Sequence, residues 1–126
     1  ITLTIPSATD KAISVGAYDT STDKVATFSG RGFTRENNQI KPDIVAPGVN
    51  IRSAATGGGT TVLSGTSMAT PIVSGVICMI LGINKEMSNI QCKKLIRDTA
   101  IDLKMEGNRQ GWGKINPEKM VNFCKK

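Results

Sequence analysis

The stretch Gly65-Thr66-Ser67-Met68-Ala69-Thr70-Pro71 lies where a region of strands and turns gives way to a long apolar segment. A helix is predicted over residues 66–81, because apolar residues occupy nearly every side of that segment. A helix that is apolar all round is buried in the middle of a larger body. This helix therefore predicts a fold in which further layers cover it.

Short β-branched segments precede the helix, separated by turn residues rich in Ser, Asp, Gly and Pro. These predicted strands are residues 3–5, 12–17 and 43–46. After the helix, Ser88-Asn89-Ile90-Gln91 fits a capping box that begins a second helix. Its predicted apolar stripe includes Ile90, Leu95 and Ile96, and Pro117 is placed to begin a third helix that runs to about Phe123. The pattern predicts half of an α/β sandwich.

Composition bounds the class of protein. A chain of 126 residues with 39% apolar residues predicts one globular unit over residues 1–126. No membrane span is expected, because the longest apolar run, residues 72–83, is interrupted by Ser74, Gly75 and Gly82. The chain opens on a β-rich run with neither an initiator Met nor a targeting signal, so its start is interpreted as a cut in a longer chain.

Charge and cysteine content exclude other classes. The net charge is +6, and many of the cations lie in the last third at helical spacings among polar residues. This favours solvated helix faces over nucleic-acid binding, since the few aromatic residues do not interleave with the basic ones. Cys78, Cys92 and Cys124 lie far apart and are predicted to be free and mostly buried thiols. No acidic cluster has calcium-loop spacing, so neither a metal nor a cofactor is predicted.

Ser67 is the candidate for chemistry. In the first turn of a helix, unpaired backbone N–H groups and the positive end of the helix dipole point at whatever forms beside its hydroxyl. That environment suits the oxyanion of acyl transfer, and Gly65 leaves room for a substrate backbone. The alternative is that Ser67, or Thr66 before it, merely caps a core helix.

The stretch around Ser67 resembles the nucleophile signature of subtilisin-like serine proteases, and four further segments resemble motifs of that family in the same order. They are Ala12-Ile13-Ser14-Val15-Gly16-Ala17-Tyr18-Asp19, Ala26-Thr27-Phe28-Ser29-Gly30-Arg31-Gly32, Lys41-Pro42-Asp43-Ile44-Val45-Ala46-Pro47-Gly48 and Gly111-Trp112-Gly113-Lys114-Ile115-Asn116. The resemblance covers essentially the full chain. It implies the C-terminal half of a subtilisin-like three-layer sandwich, with a mostly parallel sheet and a buried helix after the nucleophile.

The resemblance also implies roles for individual residues. Ser67 would be the catalytic nucleophile, and its own N–H would be one oxyanion donor. The implied substrate-binding residues are Thr4, Ile5 and Pro6, on the wall of the pocket before the scissile bond, and Ser64, Gly65, Thr66 and Met68 beside the nucleophile. Ile5-Pro6 is a candidate for a cis peptide bond. For Thr4 to Pro6 an ordinary edge strand ended by Pro remains an equal alternative.

Two features depart from the family pattern. Ile72 stands where the family usually has a non-catalytic His, which should change only the packing under the helix. The chain also contains no His, so the general base is absent from it. In the family order Asp, His, Ser, both partners and the oxyanion Asn would precede Ile1. The isolated chain is therefore predicted to be inactive.

Three functional hypotheses follow. The chain is part of an active endopeptidase with a polypeptide substrate, part of a catalytically dead relative that binds or regulates, or a stand-alone binding module that shares the motif. The last would leave a large apolar patch exposed. The implied partner is the upstream half of the same domain, and alone the chain is predicted to self-associate. The family implies a secreted or envelope-attached protein, although three unpaired cysteines fit that location less well.

Overall fold

The computed structural model describes residues 12–29, 32–33, 40–105 and 107–125. Within these ranges the strands are β1 (Val15–Asp19), β2 (Lys24–Val25), β3 (Gly32–Phe33), β4 (Ile40–Lys41), β5 (Ile44–Pro47), β6 (Ile51–Ala54) and β7 (Thr60–Leu63). The helices are α1 (Thr66–Ile83), α2 (Asn89–Thr99), α3 (Gly107–Gln110) and α4 (Pro117–Cys124). The strand predicted at residues 3–5 lies outside the described residues.

The largest sheet among the described strands has three strands, in the order β2-β1-β5. Strands β1 and β5 run parallel, with Val15 opposite Ile44, and β2 lies antiparallel to β1. Both predicted strands are present, shifted slightly toward the C-terminus. Ala17, Ile44 and Ala46 are fully buried, which is what a sheet with a helix packed on one face requires. Two further antiparallel pairs, β3-β4 and β6-β7, complete the described strands.

Helix α1 packs on β1 and β5 through one face. Ala69, Val73, Val76 and Ile80 are buried and recur at helical spacing. On other faces Met79, Leu81 and Ile83 are exposed. The prediction of burial on every side is therefore not met within the described residues, because the elements that contact α1 there, β1, β5 and α4, leave these three side chains exposed.

The apolar character of α1 also bears on the membrane question. Among the described residues α1 is the one helix long and apolar enough to cross a membrane, with a mean hydropathy of 1.8 over 18 residues. The sequence predicts no such candidate, because its longest apolar run, residues 72–83, is shorter than a membrane span and is interrupted by polar and Gly residues. A core helix of a soluble protein passes the same test of length and composition. Packing on β1 and β5 accounts for the apolar face, and no membrane span is shown.

The helices after α1 begin largely as predicted. The Ser88 hydroxyl accepts from the Gln91 N–H at 3.2 Å, and the Gln91 side chain accepts from the Ser88 N–H at 2.9 Å, which confirms the capping box. Helix α4 begins at Pro117, as predicted. The short helix α3 was not predicted.

The prediction is wrong for one residue of the apolar stripe on α2. Ile90 is 81% exposed, whereas Leu95 and Ile96 are buried. The buried side chains of α2 are Cys92, Leu95, Ile96 and Thr99. They follow the i, i+3, i+4, i+7 spacing of one helix face, and Ile90 lies off that face.

The cysteines are free, but they are not uniformly buried. Cys92 is buried, Cys124 is half-buried and Cys78 is exposed on α1. Burial raises the pKa of the Cys92 thiol, and the nearby Cys124 raises it further. The prediction of mostly buried thiols is wrong for Cys78, because it projects from the uncovered side of α1.

Candidate active site

A β-hairpin leads the chain to the predicted nucleophile. Strand β6 pairs with β7, with Ile51 opposite Leu63 and Ala54 opposite Thr60, and the connection contains Gly57, Gly58 and Gly59. Strand β7 ends at Leu63, and α1 begins at Thr66. Only Ser64 and Gly65 separate the hairpin from the helix, so the hairpin sets the direction in which the chain enters α1.

The sequence predictions missed this hairpin. The available signal was the Gly-Gly-Gly turn between Ile51-Arg52-Ser53-Ala54 and Thr60-Thr61-Val62-Leu63. Both strands are largely exposed and neither alternates clearly between apolar and polar residues. The usual period-two signal of a half-buried strand is therefore weak here.

Gly65 is the N-cap residue of α1, and it lies against the end of the sheet. Its φ of 155° and ψ of 160° are outside the regions that side-chain-bearing residues prefer. Its N–H donates to the Gly48 carbonyl at 2.8 Å. A Cβ on Gly48 would lie 2.9 Å from the Gly65 carbonyl oxygen and would clash with the Ala17 Cβ. The two segments are therefore packed backbone to backbone.

Ser67 is the second residue of α1 and is exposed. No side chain caps the N-terminus of α1, and the Met68 N–H donates to the Gly65 carbonyl at 3.0 Å. Within the part of the chain that the structure describes, neither the hydroxyl nor the N–H of Ser67 forms a hydrogen bond. Ala69, fully buried two residues later, fixes this turn of the helix to the core. Both groups of Ser67 are thus available to a ligand.

Four predicted substrate-binding residues lie close to Ser67 because they are its neighbours in the sequence. Thr66 and Met68 are half-buried on either side, and the Thr66 carbonyl accepts from the Thr70 hydroxyl at 3.2 Å. Ser64 is exposed, and its hydroxyl accepts from the Asn50 N–H at 2.8 Å. Ile72 packs against the core, as a residue with a purely structural role would.

The other predicted substrate-binding residues, Thr4, Ile5 and Pro6, lie outside the described residues, and so does the candidate cis bond between Ile5 and Pro6. In the described segment the cis peptide bond is that between Lys41 and Pro42. The substrate-binding role of the N-terminal segment stays a prediction.

The electrostatics of the site come from the backbone. No acidic residue lies in the first turn of α1, so no carboxylate of that turn offsets the positive end of the helix dipole. The whole sequence contains no His. In the described residues no group of three or more His, Cys, Asp or Glu side chains could hold a metal ion. Among the described residues, the chain offers at this point a hydroxyl beside the unbonded N–H of Ser67, a donor of the kind that stabilises an oxyanion.

A strand-and-turn region that delivers an exposed Ser to the first turn of a core helix is typical of serine hydrolases. Residues 2–113 match the sequence profile of the subtilase family, and the chain belongs to that family of serine peptidases.

Among curated proteins, the serine protease AprX of Bacillus subtilis is 36% identical over 95% of this chain and 32% of its own length. The alkaline elastase YaB of a Bacillus species is 38% identical over 90% of this chain and 28% of its own length. The chain spans 16 to 32% of the first curated relatives that it matches.

Solved structures agree with these matches. The CspB protease of Clostridium perfringens superposes with a TM-score of 0.85 and 32% identity, over 98% of this chain and 29% of that one. The self-cleaved protease domain of PatA gives a TM-score of 0.75 and 33% identity, over 96% of this chain and 44% of that one. The predicted fold class, part of the subtilisin-like α/β fold, is confirmed.

Proposed function

We propose that this chain supplies the nucleophile of a serine endopeptidase and is the C-terminal part of its catalytic domain. The observation that carries the proposal is the state of Ser67, which is exposed in the first turn of α1 with hydroxyl and N–H unoccupied among the described residues. The chain matches only about a third of the length of AprX and of the CspB protease, which supports the proposal that it is one part of a larger catalytic domain.

In this proposal the Ser67 hydroxyl attacks the carbonyl carbon of a peptide bond and passes its proton to a general base. The negative charge that develops on the carbonyl oxygen is stabilised by the Ser67 N–H at the start of α1. The C–N bond then breaks, the amine leaves with the proton, and an ester on Ser67 remains. Water hydrolyses that ester and restores the hydroxyl.

The general base is the part that this chain does not contain, because it has no His. In the order Asp, His, Ser of subtilisin-like enzymes, the base and its partner precede the nucleophile. In subtilisin, loss of the His alone lowers kcat by about 10⁶-fold, and loss of the oxyanion Asn lowers it by about 10²–10³-fold. The chain alone is therefore expected to be inactive.

The proposed partner is the upstream part of the same domain, which would cover the exposed side of α1. The proposed substrate is a polypeptide that lies along the backbone of Ser64, Gly65, Thr66 and Met68, with Thr4, Ile5 and Pro6 on the pocket wall. We also propose a secreted or envelope-attached protein, because relatives include the halolysin-like extracellular serine protease Nep of Natrialba magadii.

The test is labelling with a fluorophosphonate, which modifies activated serine nucleophiles. The full-length protein is expected to be labelled, and Ser67→Ala in the full-length protein is expected to abolish the labelling. Ser74→Ala, at another exposed serine of α1, is the matched control and is expected to leave labelling unchanged.

Each other outcome has a defined meaning. Absence of labelling in the wild-type full-length protein would reject the endopeptidase and favour the catalytically dead relative. Labelling of the isolated chain would show that the general base is not required for reaction at Ser67, and would reject the argument from the missing His.

A further inference from the structure

The turn Gly48-Val49-Asn50 is bonded to the two residues that precede α1. The Gly65 N–H donates to the Gly48 carbonyl at 2.8 Å. The Asn50 N–H donates to the Ser64 hydroxyl at 2.8 Å. One of these bonds is between backbone groups, whereas the other depends on a single side chain, that of Ser64.

The turn itself is held to the sheet. Gly48 directly follows β5, and its N–H donates to the Tyr18 carbonyl of β1 at 3.1 Å. A side chain at Gly48 would collide with Ala17, so the turn lies directly on β1. Asn50 has a φ of 55°, in the left-handed region that Asn tolerates better than most residues. The turn is therefore a fixed point against which the loop before Ser67 can be held.

Because of the position of Ser64 in the chain, the hydrogen bond to its hydroxyl can affect the geometry of the residues that follow. Ser64 comes between the end of the exposed hairpin β6-β7 and the N-cap residue Gly65. A displacement at Ser64 is passed to Gly65 and then to the first turn of α1, where the Ser67 hydroxyl and N–H lie. Small displacements of reacting groups reduce rates strongly, by up to about 10²-fold for 1 Å.

We propose that Ser64 is a positioning residue, whose hydroxyl ties the nucleophile loop to the Gly48-Val49-Asn50 turn and so fixes Ser67 relative to the sheet. This inference rests on the proposed function. The bond lies at the surface, where water competes with it, so its contribution to global stability is small. Its effect is local to the geometry of Ser67.

The experiment compares full-length Ser64→Ala, Ser64→Thr and Ser53→Ala with the wild type. Ser53 is the matched control, an exposed hydroxyl on β6 whose side chain forms no hydrogen bond within the described residues. The readouts are the second-order rate of labelling by a small fluorophosphonate, kcat and KM for a peptide substrate, and Tm.

Ser64→Ala is expected to slow labelling and lower kcat, each by about 5- to 10²-fold, while KM and Tm change little. Ser64→Thr keeps a hydroxyl and is expected to restore most of the rate, and Ser53→Ala is expected to match the wild type. The small reagent does not fill the substrate cleft, so its rate reports on Ser67 and not on substrate contacts.

Two results would overturn the inference alone. Labelling of Ser64→Ala at the wild-type rate would show that the hydroxyl does not position Ser67. A rise in KM with labelling unchanged would show that the Ser64 hydroxyl contributes to substrate binding and does not position Ser67. Failure of the wild type to be labelled at all is distinguishable from both, and would overturn the proposed function together with this inference.

Discussion

Lys41 is almost completely buried, 1% exposed, and yet it carries a charged group. Its Nζ lies 2.7 Å from the Asp43 Oδ2, and this oxygen also accepts from the Ser14 N–H at 2.9 Å. The Lys93 Nζ of α2 lies 3.7 Å from the same oxygen. A single carboxylate thus joins the residues just before β1 and β5 to α2. Such a buried pair contributes little net stability, but loss of one partner leaves an uncompensated charge in the core.

Asp43→Asn is therefore expected to reduce the free energy of unfolding of the full-length protein by about 3–5 kcal/mol. The measurement is urea-induced unfolding followed by circular dichroism. Asp98→Asn is the matched control, because Asp98 pairs with Arg97 at 3.4 Å with both side chains about half exposed. Its expected effect is less than about 1 kcal/mol. Equal effects of the two substitutions would show that the burial of Asp43 is not what makes its pairing important.

At the scale of elements, what the sequence predicted well was local. The starts of α1, α2 and α4 depend on neighbouring residues, on Gly65, on the Ser88 and Gln91 pair and on Pro117. The hairpin β6-β7 was missed because its strands are stabilised mainly by pairing with each other. The error at Ile90 has the same origin, since only tertiary packing selects which face of α2 is buried.

The sequence also could not predict how the family motifs contact one another in the fold. The Val45 N–H donates to the Gly113 carbonyl, and the Ile115 N–H donates to the Val45 carbonyl, each at 2.9 Å. The segment around Gly113 therefore lies beside β5, far away in sequence. Ser67 could be proposed as the nucleophile from the sequence because its signature is contiguous. The bond between Ser64 and Asn50 could not, because it depends on where the turn after β5 places Asn50.

The capping box of α2 gives a test at this scale. Ser88→Ala removes the acceptor for the Gln91 N–H and is expected to lower the free energy of unfolding by about 1 kcal/mol. Ser88→Gly is expected to cost only a few tenths of a kcal/mol, because Gly is a better N-cap residue than Ala. Urea unfolding of the full-length protein measures both, and hydrogen exchange of the Gln91 amide reports the local effect. An Ala variant as stable as the Gly variant would contradict the role of the cap.

At the scale of the whole chain, α1 has two unlike sides. One packs on the sheet through Ala69, Val73, Val76 and Ile80. Elsewhere on the helix Met79 is 52%, Leu81 37% and Ile83 42% exposed. We expect this exposed apolar surface on the helix to be a site of association. Under the proposed function, the upstream part of the same domain would cover this surface.

Expressed without that cover, the chain is expected to self-associate through α1. Sedimentation velocity at increasing concentration should show species larger than a monomer, and Met79→Gln combined with Ile83→Gln should shift them toward the monomer. Ile90→Gln is the control, because it removes an apolar side chain that is 81% exposed but lies on α2, and it should leave the association unchanged. Adding the upstream part of the domain as a separate polypeptide should replace self-association with a one-to-one complex, because both compete for the same apolar surface. A compact wild-type monomer that unfolds cooperatively would contradict this prediction. It would show that the chain is stable with the apolar surface of α1 exposed and needs no partner.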